Sequence, residues 1–309
     1  MKLSYDISDF KATKPVVLTQ GTFDGVHFGH KKILRKVVKQ AKEMGGESIL
    51  LTFYPHPRLV LYPDDNTLKM LSTIEEKVKK VEELGLDYLI ILPFTKELSR
   101  LRADEFVRDI LVEKLSISQL VIGYDHRFGR NREGGIEEML NFANVFGFEI
   151  EEIPAQDIKE STVSSTKIRK ALLKGDVGLA NQYLEENYKV TGKVEQGAQR
   201  GTSIGYPTAN LRVTSSYKLI PLNGVYAVWV YVDEKRYGGM LNIGYNPTFD
   251  DKAWSIEVHI LDFEKNIYHK EITIEFIDRV RDEQEFKGIE ELKKQLKEDE
   301  KRIRNVLQS

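Results

Sequence analysis

Two histidines stand three positions apart at the end of the most distinctive stretch of the chain, Gly21 to His30 (G-T-F-D-G-V-H-F-G-H). Just before it, Val16 to Thr19 form a short apolar run typical of a buried strand, and the residues after it are apolar at helical spacing. The stretch is therefore predicted to form the turn that connects a strand to a helix. Gly21 and Gly25 would let the backbone approach a ligand closely, and the N-terminus of the helix would attract an anion, for which phosphate is the first candidate.

The two histidines, His27 and His30, fall on one side of the first helical turn. Both imidazoles could donate hydrogen bonds to the same group of oxygens as negative charge builds up in a transition state, which suits phosphate transfer without a covalent intermediate. A lone histidine here would more often be a surface or helix-start residue. The chain has six histidines, however, and two of them share this turn with a carboxylate, Asp24, so we interpret the stretch as an active site.

The composition limits the classes of function. The 309 residues suggest two domains, at roughly 150 residues per domain. Lys and Arg total 46 against 48 Asp and Glu, for a net charge of -2, so nothing favours binding to nucleic acid. The absence of cysteine excludes disulfides, thiolate catalysis and cysteine zinc sites, and fits a reducing compartment. No apolar run resembles a signal peptide or a membrane span, so we expect a cytoplasmic protein without a membrane partner.

Strand and helix patterns alternate through the first half of the chain. This alternation predicts an α/β domain with a doubly wound parallel sheet, whose ligands bind at the carboxyl ends of the strands. The predicted strands are Val16 to Thr19, Ser48 to Phe53, Tyr88 to Leu92, Gln119 to Ile122 and Phe148 to Ile153. The predicted helices are Lys31 to Met44, Ile74 to Leu84, Ala103 to Leu111, Ile136 to Phe146, Thr166 to Leu173 and Val177 to Leu184.

The pattern changes after Glu185, where helical periodicity gives way to short runs rich in Val, Ile, Tyr and Trp. These runs predict an antiparallel β-barrel or sandwich, capped by a C-terminal helix with one apolar stripe. The predicted strands are Tyr188 to Val194, Val225 to Val232, Arg236 to Ile243, Ser255 to Leu261 and Glu271 to Val280. The sequence therefore predicts one domain over residues 1–185 and a second over residues 186–309.

Three further clusters in the first domain carry side chains suited to ligand binding. T-F-Y-P-H-P, which contains His56, and G-Y-D-H-R-F-G-R, which contains Asp125 and Arg127, each end a predicted strand. The third, S-S-T-K-I-R from Ser164 to Arg169, begins a predicted helix. Standing alone, the first two would be ordinary loops and the third a helix cap, although its hydroxyls and basic side chains could also clamp a phosphate.

Taken in order, these four motifs resemble the FMN adenylyltransferase module of prokaryotic bifunctional FAD synthetases, and the first contains the H-x-G-H signature of nucleotidylyltransferases. The second half of the chain is similar to the riboflavin kinase module of the same family. The motifs that carry this second resemblance are G-Y-P-T-A-N (Gly205 to Asn210), G-V-Y-A-V (Gly224 to Val228), N-I-G-Y-N-P-T-F (Asn242 to Phe249), I-E-V-H-I-L (Ile256 to Leu261) and R-D-E-Q-E-F (Arg281 to Phe286).

The resemblance implies an enzyme that phosphorylates riboflavin to FMN in the barrel and adenylylates FMN to FAD in the α/β domain, using ATP and Mg²⁺ in both reactions. His27 and His30 would stabilise the transition state of adenylyl transfer. ATP and its phosphates would be bound by Gly21, Phe23, Asp24, Gly29, Ser164, Ser165, Thr166 and Arg169. The flavin or nucleotide edge would be bound by His56, Asp125 and Arg127.

In the kinase half, the resemblance assigns Glu257 as the general base that accepts the proton of the riboflavin hydroxyl. Thr208 and Asn210 offer hard oxygen ligands for Mg²⁺. The ATP phosphates and the flavin would be held by Gly192, Gly201 and Gly205 and by Arg281, respectively. From spacing alone, Glu257 could equally be a cross-strand ion-pair partner, and Thr208 and Asn210 could stabilise the turn after a proline.

Two residues depart from the family pattern. Thr202 follows Gly201 where the family usually has arginine, and His126 stands where it usually has phenylalanine. Two other functions remain open at this point. One is a nucleotidylyltransferase for another phosphorylated substrate, such as phosphopantetheine, with a non-catalytic barrel. The other is a flavin-binding regulatory protein that has kept the folds without turnover.

Overall fold

The chain divides into two units, Met1–Ser165 and Thr166–Ser309, in a computed structural model. The structure describes residues 1–65, 67–123, 127–130, 133–154, 163–197, 200–245 and 253–308. No helix among these residues is both long enough and apolar enough to cross a membrane.

A six-stranded parallel sheet forms the centre of the first unit, in the strand order β1-β4-β3-β2-β5-β6. Its inner strands are almost continuously apolar and buried, as expected where helices cover both faces. The predicted parallel α/β sheet is confirmed, and the short edge strand β1 is added. The strands are β1 (Lys2–Ser4), β2 (Val16–Gln20), β3 (Glu47–Tyr54), β4 (Tyr88–Pro93), β5 (Ile117–Gly123) and β6 (Glu149–Ile153).

Helices connect these strands, and two differ from the prediction. One short helix was not predicted because five residues are too few to reveal a period. The predicted Ala103 to Leu111 helix changes its hydrogen-bond pattern after one turn and continues as a π-helix, Phe106–Lys114. The α-helices are α1 (Phe28–Glu43), α2 (Pro57–Leu61), α3 (Ile74–Glu83), α4 (Ala103–Glu105) and α5 (Ile136–Phe146).

The strand order reverses at β2. From β2 the chain continues to β3 and β4 on one side, whereas β5 and β6 lie on the other side. In an open parallel sheet, such a reversal leaves a crevice at the carboxyl ends of the strands, where ligands bind. The stretch from Gly21 to His30 follows β2 directly, so the fold places the two histidines at this crevice.

A closed antiparallel barrel forms the second unit, in the strand order β10-β11-β8-β7-β12-β9. Along β11, buried residues alternate with partly exposed ones, which is the period of a strand with one face in a core. The structure thus decides for a barrel over a sandwich. The strands are β7 (Lys189–Glu195), β8 (Ala209–Arg212), β9 (Gly224–Val232), β10 (Lys235–Gly244), β11 (Ser255–Ile260) and β12 (Glu271–Arg281).

Four helices accompany the barrel strands: α6 (Ser165–Leu173), α7 (Val177–Leu184), α8 (Arg200–Ser203) and α9 (Ile289–Gln308). The C-terminal helix α9 packs its apolar stripe on the barrel, where Ile303 contacts the cluster that contains Val225 and Val280. Asn181 in α7 donates a hydrogen bond to the carbonyl of Phe276 in β12 (2.9 Å) and accepts one from the amide of Tyr188 (2.8 Å).

The helices α6 and α7 therefore pack with the barrel, although the sequence pattern groups them with the first domain. Leu222 adds a backbone hydrogen bond to the carbonyl of Leu172 at the end of α6 (3.0 Å). The units divide after Ser165. The sequence did not show this division because hydrophobic periodicity identifies the type of an element but not the core on which it packs. As a boundary between two activities, residue 185 remains a prediction.

We expect a fragment that starts at Thr166 to be more stable than one that starts at Glu186. Without α6 and α7, the buried side chains of Leu172, Val177 and Leu184 are lost from the unit, and each is worth about 1.5–3 kcal/mol when fully buried. Urea unfolding of the two purified fragments measures the difference. Equal midpoints would show that the helices contribute nothing to the barrel.

Candidate functional site

The two histidines come together at the N-terminal end of α1. His27 is the N-cap residue of α1, and its ring stacks on that of His30, with centroids 3.6 Å apart and an interplanar angle of 18°. The ring of Phe23 also contacts His30, with the two ring centroids 4.7 Å apart. The predicted pairing of the two imidazoles at one helix end is therefore present, at the edge of the sheet where ligands bind.

His30 lies in an environment that disfavours its charged form. Burial lowers the pKa of His30 well below its usual range, and the positive charges of His27 and Lys77 lower it further. A neutral imidazole donates through one ring nitrogen, and an arriving anion would favour the protonated form. The Nδ1 of His30 has no hydrogen-bond partner among the described residues, and a buried polar atom in this state marks strain or function.

The turn between β2 and α1 is strained. Gly21 and Gly25 have φ angles of 154° and 85°, which glycine tolerates, but Phe23 and Val26 also have positive φ angles, 44° and 45°. Such conformations cost non-glycine residues about 1–3 kcal/mol each and persist only where the surroundings impose them. The contacts that hold this turn are therefore part of the site.

Asp24 anchors the turn from within. Its side chain is 3% exposed, and its carboxylate accepts hydrogen bonds from the amides of Leu71 (3.0 Å) and Ser72 (3.1 Å). Its backbone carbonyl accepts a hydrogen bond from the hydroxyl of Ser165 (3.0 Å). A carboxylate occupied in this way fits an anchor better than a ligand for an anion, and the assignment of Asp24 to phosphate stays a prediction.

Sequence reasoning missed Lys77, which holds the same turn from α3. Its side chain is 7% exposed, and its Nζ donates to the carbonyl of Thr22 (2.7 Å) and, at longer range, to Oγ1 of Thr52 (3.4 Å). Burial lowers the pKa of Lys77 to about 8, and the charge of Asp24 partly opposes this shift. The burial of Lys77 could have been inferred from its position, because it lies three residues after Ile74 and thus on the apolar face of its helix.

The other predicted residues of the first unit are less closely tied to the histidines. Gly29 is buried in the first turn of α1, and Ser164 is exposed beside Ser165. His56 is the N-cap of α2, where its Nδ1 accepts a hydrogen bond from the amide of Arg58 (3.2 Å). Arg127 is exposed, Asp125 and His126 lie outside the described residues, and Thr166 and Arg169 belong to the second unit.

The predicted kinase residues meet on the outward face of the barrel. Oε2 of Glu257 accepts a hydrogen bond from the hydroxyl of Thr208 (3.1 Å), and Oε1 accepts one from Ser255 (2.9 Å). Asn210 in β8 and Asn242 in β10 are the register partners of Glu257 on its two neighbouring strands, and directly paired residues share a face. Asn242 was quoted in a motif but not predicted as a site residue.

The oxygens of this face suit a hard cation such as Mg²⁺. The hydroxyl hydrogen of Thr208 is directed to Glu257, so the oxygen lone pairs remain for a cation, and the amide oxygen of Asn210 is a ligand of the same kind. Within the described ranges, no group of three or more His, Cys, Asp or Glu side chains could hold a metal ion.

The three glycines predicted to bind the ATP phosphates of the kinase half lie in different local structures. Gly201 lies in α8, and its carbonyl accepts a hydrogen bond from the amide of Tyr206 (2.8 Å), while Gly205 has a φ of 86° in the turn. Gly192 lies inside strand β7. A Cβ at this position would come 2.6 Å from the carbonyl oxygen of Arg212. The close approach of two strands explains this glycine.

His259 is a second residue that sequence reasoning missed. It lies two positions after Glu257 on the same outward face of β11, and its Nδ1 is 2.8 Å from the carbonyl oxygen of Pro207. Its ring meets that of Tyr206 edge to face, at 5.1 Å. His259 thus fixes the backbone next to Thr208, and the alternation of the I-E-V-H-I-L motif was the signal that could have identified it.

Arg281, predicted to bind flavin, is engaged with the C-terminal helix. Its Nε and Nη2 lie 2.9 and 2.8 Å from a carboxylate oxygen of Asp299, which is 3% exposed, and its Nη1 donates to the carbonyl of Asp282 (2.9 Å). Phe286 follows, with its ring 5.7 Å from the guanidinium. The adjoining cavity, of about 370 Å³, is lined by Gln284, Glu285, Phe286, Glu291, Lys294, Gln295 and Glu298.

In comparisons with known proteins, the two halves of the chain match two different family models. A family model for FAD synthetase matches residues 9–167, and one for riboflavin kinase matches residues 184–307. A bifunctional riboflavin kinase/FMN adenylyltransferase from Listeria monocytogenes is 40% identical over 289 residues, which cover 93% of this chain and 91% of the relative. The Bacillus subtilis protein of the same name is 36% identical over 288 residues, which cover 92% of this chain and 90% of that relative.

Among solved structures, the chain resembles a crystal structure from Streptococcus pneumoniae named as a macrolide-efflux protein. The TM-score is 0.88 at 31% sequence identity, and the match covers 98% of each chain. This likeness extends over both units of the fold.

Substitution of Asp299 tests whether Arg281 is held by a structural ion pair. We expect Asp299→Ala to destabilise the barrel by about 3–5 kcal/mol, because it leaves a mostly buried guanidinium without its carboxylate. Glu290→Ala is the matched control, since the side chain of Glu290 is 90% exposed and pairs with Lys293 (3.4 Å), and surface pairs are worth about 0–1 kcal/mol. Equal losses of unfolding free energy in the two variants would contradict this interpretation.

Proposed function

The chain belongs to the family of bifunctional riboflavin kinase/FMN adenylyltransferases, and from this premise we propose which of its residues carry out each reaction. It phosphorylates riboflavin to FMN with ATP, and it adenylylates FMN with ATP to give FAD and pyrophosphate. Matches to both family models argue against a nucleotidylyltransferase with a non-catalytic barrel and against a flavin-binding regulator.

Adenylyl transfer is assigned to the β2–α1 turn of the first unit. The stacked pair of His27 and His30 at the reversal point of the sheet is the observation that carries this assignment. An oxygen of the FMN phosphate attacks the α-phosphorus of ATP, a new P–O bond forms, and the bond to pyrophosphate breaks. No general base is needed because the attacking phosphate is already ionised at neutral pH.

The two imidazoles act on the charge that develops during this step. Their N–H groups donate to oxygens of the α-phosphate, and the amides at the start of α1, including that of Gly29, add further donors. His30 enters the reaction neutral and gains positive character as the anion arrives. Ser164 and Ser165 are proposed to clamp the remaining phosphates, which the contact of Ser165 with the turn supports.

Riboflavin phosphorylation is assigned to the outward face of the barrel around Glu257. The terminal hydroxyl of riboflavin attacks the γ-phosphorus of ATP, its proton passes to the Glu257 carboxylate, and ADP departs. Hydrogen bonds from Thr208 and Ser255 orient the carboxylate for this transfer. Mg²⁺, which Thr208 and Asn210 would hold, neutralises charge on the ATP phosphates when bound.

The flavin is proposed to occupy the cavity between the loop after β12 and helix α9. Phe286 supplies an aromatic surface for a flavin ring, and the volume of about 370 Å³ lies within the range of small-molecule sites. Arg281 shapes this loop through Asp299. We also propose a cytoplasmic location, which the absence of cysteine supports.

Substitution of the histidine pair should affect adenylyl transfer alone. In His27→Ala or His30→Ala, we expect FAD formation from supplied FMN to fall about 100-fold or more, because one preorganised donor to the developing charge is lost. FMN formation from riboflavin is the internal control and should persist. If the folded double variant makes FAD at the parental rate, the site is elsewhere.

A conservative change at Glu257 separates a general base from a structural glutamate. Glu257→Gln keeps the shape and can still accept the hydrogen bond of Thr208, but it cannot take up the proton. We expect riboflavin phosphorylation to collapse while supplied FMN is still converted to FAD and the thermal midpoint is retained. A lower midpoint with kinase activity preserved would indicate an ion-pair role.

A further inference from the structure

The ammonium group of Lys77 is buried beneath the turn that carries the histidines, and the reaction as assigned above does not use it. Removing a charged group from water is costly unless the protein compensates for it. Here the compensation includes the carbonyl oxygen of Thr22, 2.7 Å from Nζ, and the nearby carboxylate of Asp24. A buried charge beside an active site is a candidate for a functional role.

Lys77 faces charged groups from each side of the turn. His30 approaches from α1, and the charge of Lys77 lowers the pKa of His30. Asp24 approaches from the turn itself and raises the pKa of Lys77. On the helix of Lys77, Glu76 belongs to the capping box with Thr73, and Lys80 reaches the carbonyl of Gly25 at 3.4 Å.

The contact to Thr22 also bears on the shape of the turn. Thr22 precedes Phe23, one of the two non-glycine residues with positive φ, and Gly25 precedes Val26, the other. The carbonyls of Thr22 and Gly25 are therefore the peptide groups that lead into the strained positions, and both accept hydrogen bonds from lysines of α3. Fixing these carbonyls fixes the orientation of the backbone that meets the nucleotide.

We propose that Lys77 is a positioning residue for adenylyl transfer, which holds the β2–α1 turn through the Thr22 carbonyl and places a fixed positive charge beneath the bound triphosphate. The inference rests on the proposed site at His27 and His30. It adds a residue from α3 to a site otherwise built from the turn between β2 and α1.

The first test compares Lys77→Met with Lys79→Met in the full chain. Methionine keeps the length of the side chain without the charge, and Lys79 is an exposed lysine on the same helix. We expect kcat/KM for ATP in FAD formation to fall about tenfold or more in Lys77→Met only, the scale of one lost charge-assisted contact. FMN formation should be unchanged in both variants.

The titration of His30 separates a positioning role of Lys77 from a purely structural one. Lys77→Met leaves the Thr22 carbonyl and the Asp24 carboxylate without the charge of Lys77, so its thermal midpoint should fall, and its activity is measured well below that midpoint. The ring titration of His30, followed by NMR, should move to higher pH once the neighbouring positive charge is gone. Parental kcat/KM for ATP in folded Lys77→Met would overturn the proposal.

The pH dependence of the parent provides a second test. Because Lys77 has a pKa of about 8 in the free protein, kcat/KM for ATP should fall as the pH rises through this value and the charge is lost. Lys77→Arg, which stays charged, should abolish this fall. A parental profile that is flat between about pH 7 and 9, or a fall that persists in an active Lys77→Arg, would overturn the proposal.

These outcomes separate the inference from the function on which it rests. If His30→Ala loses FAD formation and Lys77→Met does not, the site is correct and Lys77 is not a positioning residue. If His30→Ala retains FAD formation, the site assignment itself fails.

Discussion

The β2–α1 turn keeps its shape only because buried polar groups hold its backbone. Phe23 and Val26 adopt positive φ angles that an isolated chain would avoid, and the carboxylate of Asp24, bonded to the amides of Leu71 and Ser72, opposes their relaxation. The stacking of His27 on His30 depends on this turn, because it determines where α1 begins. The arrangement of the two imidazoles is thus imposed by contacts that the rings themselves do not make.

The barrel orients its Glu257 carboxylate without a strained turn. Glu257 lies on a regular strand, and hydrogen bonds from Thr208 and Ser255 set the direction of its carboxylate. His259, on the same face, fixes the carbonyl of Pro207 next to Thr208. A strand displays alternate side chains on one face at no conformational cost, so a carboxylate and the side chains that orient it need only the correct register.

Sequence reasoning succeeded where the signal was local. The histidine pair and the glycines of its turn are close in sequence. The hydrophobic periods of the two halves predicted a parallel α/β sheet and an antiparallel barrel or sandwich. It failed for partners that only folding brings together: Lys77 resembles any lysine of an amphipathic helix until it is placed beneath Thr22. The ion pair of Arg281 with Asp299 joins a strand to a distant helix, and residue types alone could not show that the guanidinium is already engaged.

Hydrogen–deuterium exchange of the full chain tests most directly whether Asp24 imposes the turn. In Asp24→Asn the carboxylate loses its charge and part of its capacity to accept hydrogen bonds. The account predicts that exchange accelerates at the amides of Leu71 and Ser72 and in the segment from Gly21 to His27 together, while the barrel strands stay as protected as in the parent. Unchanged protection of the turn, with faster exchange at Leu71 and Ser72 alone, would contradict it.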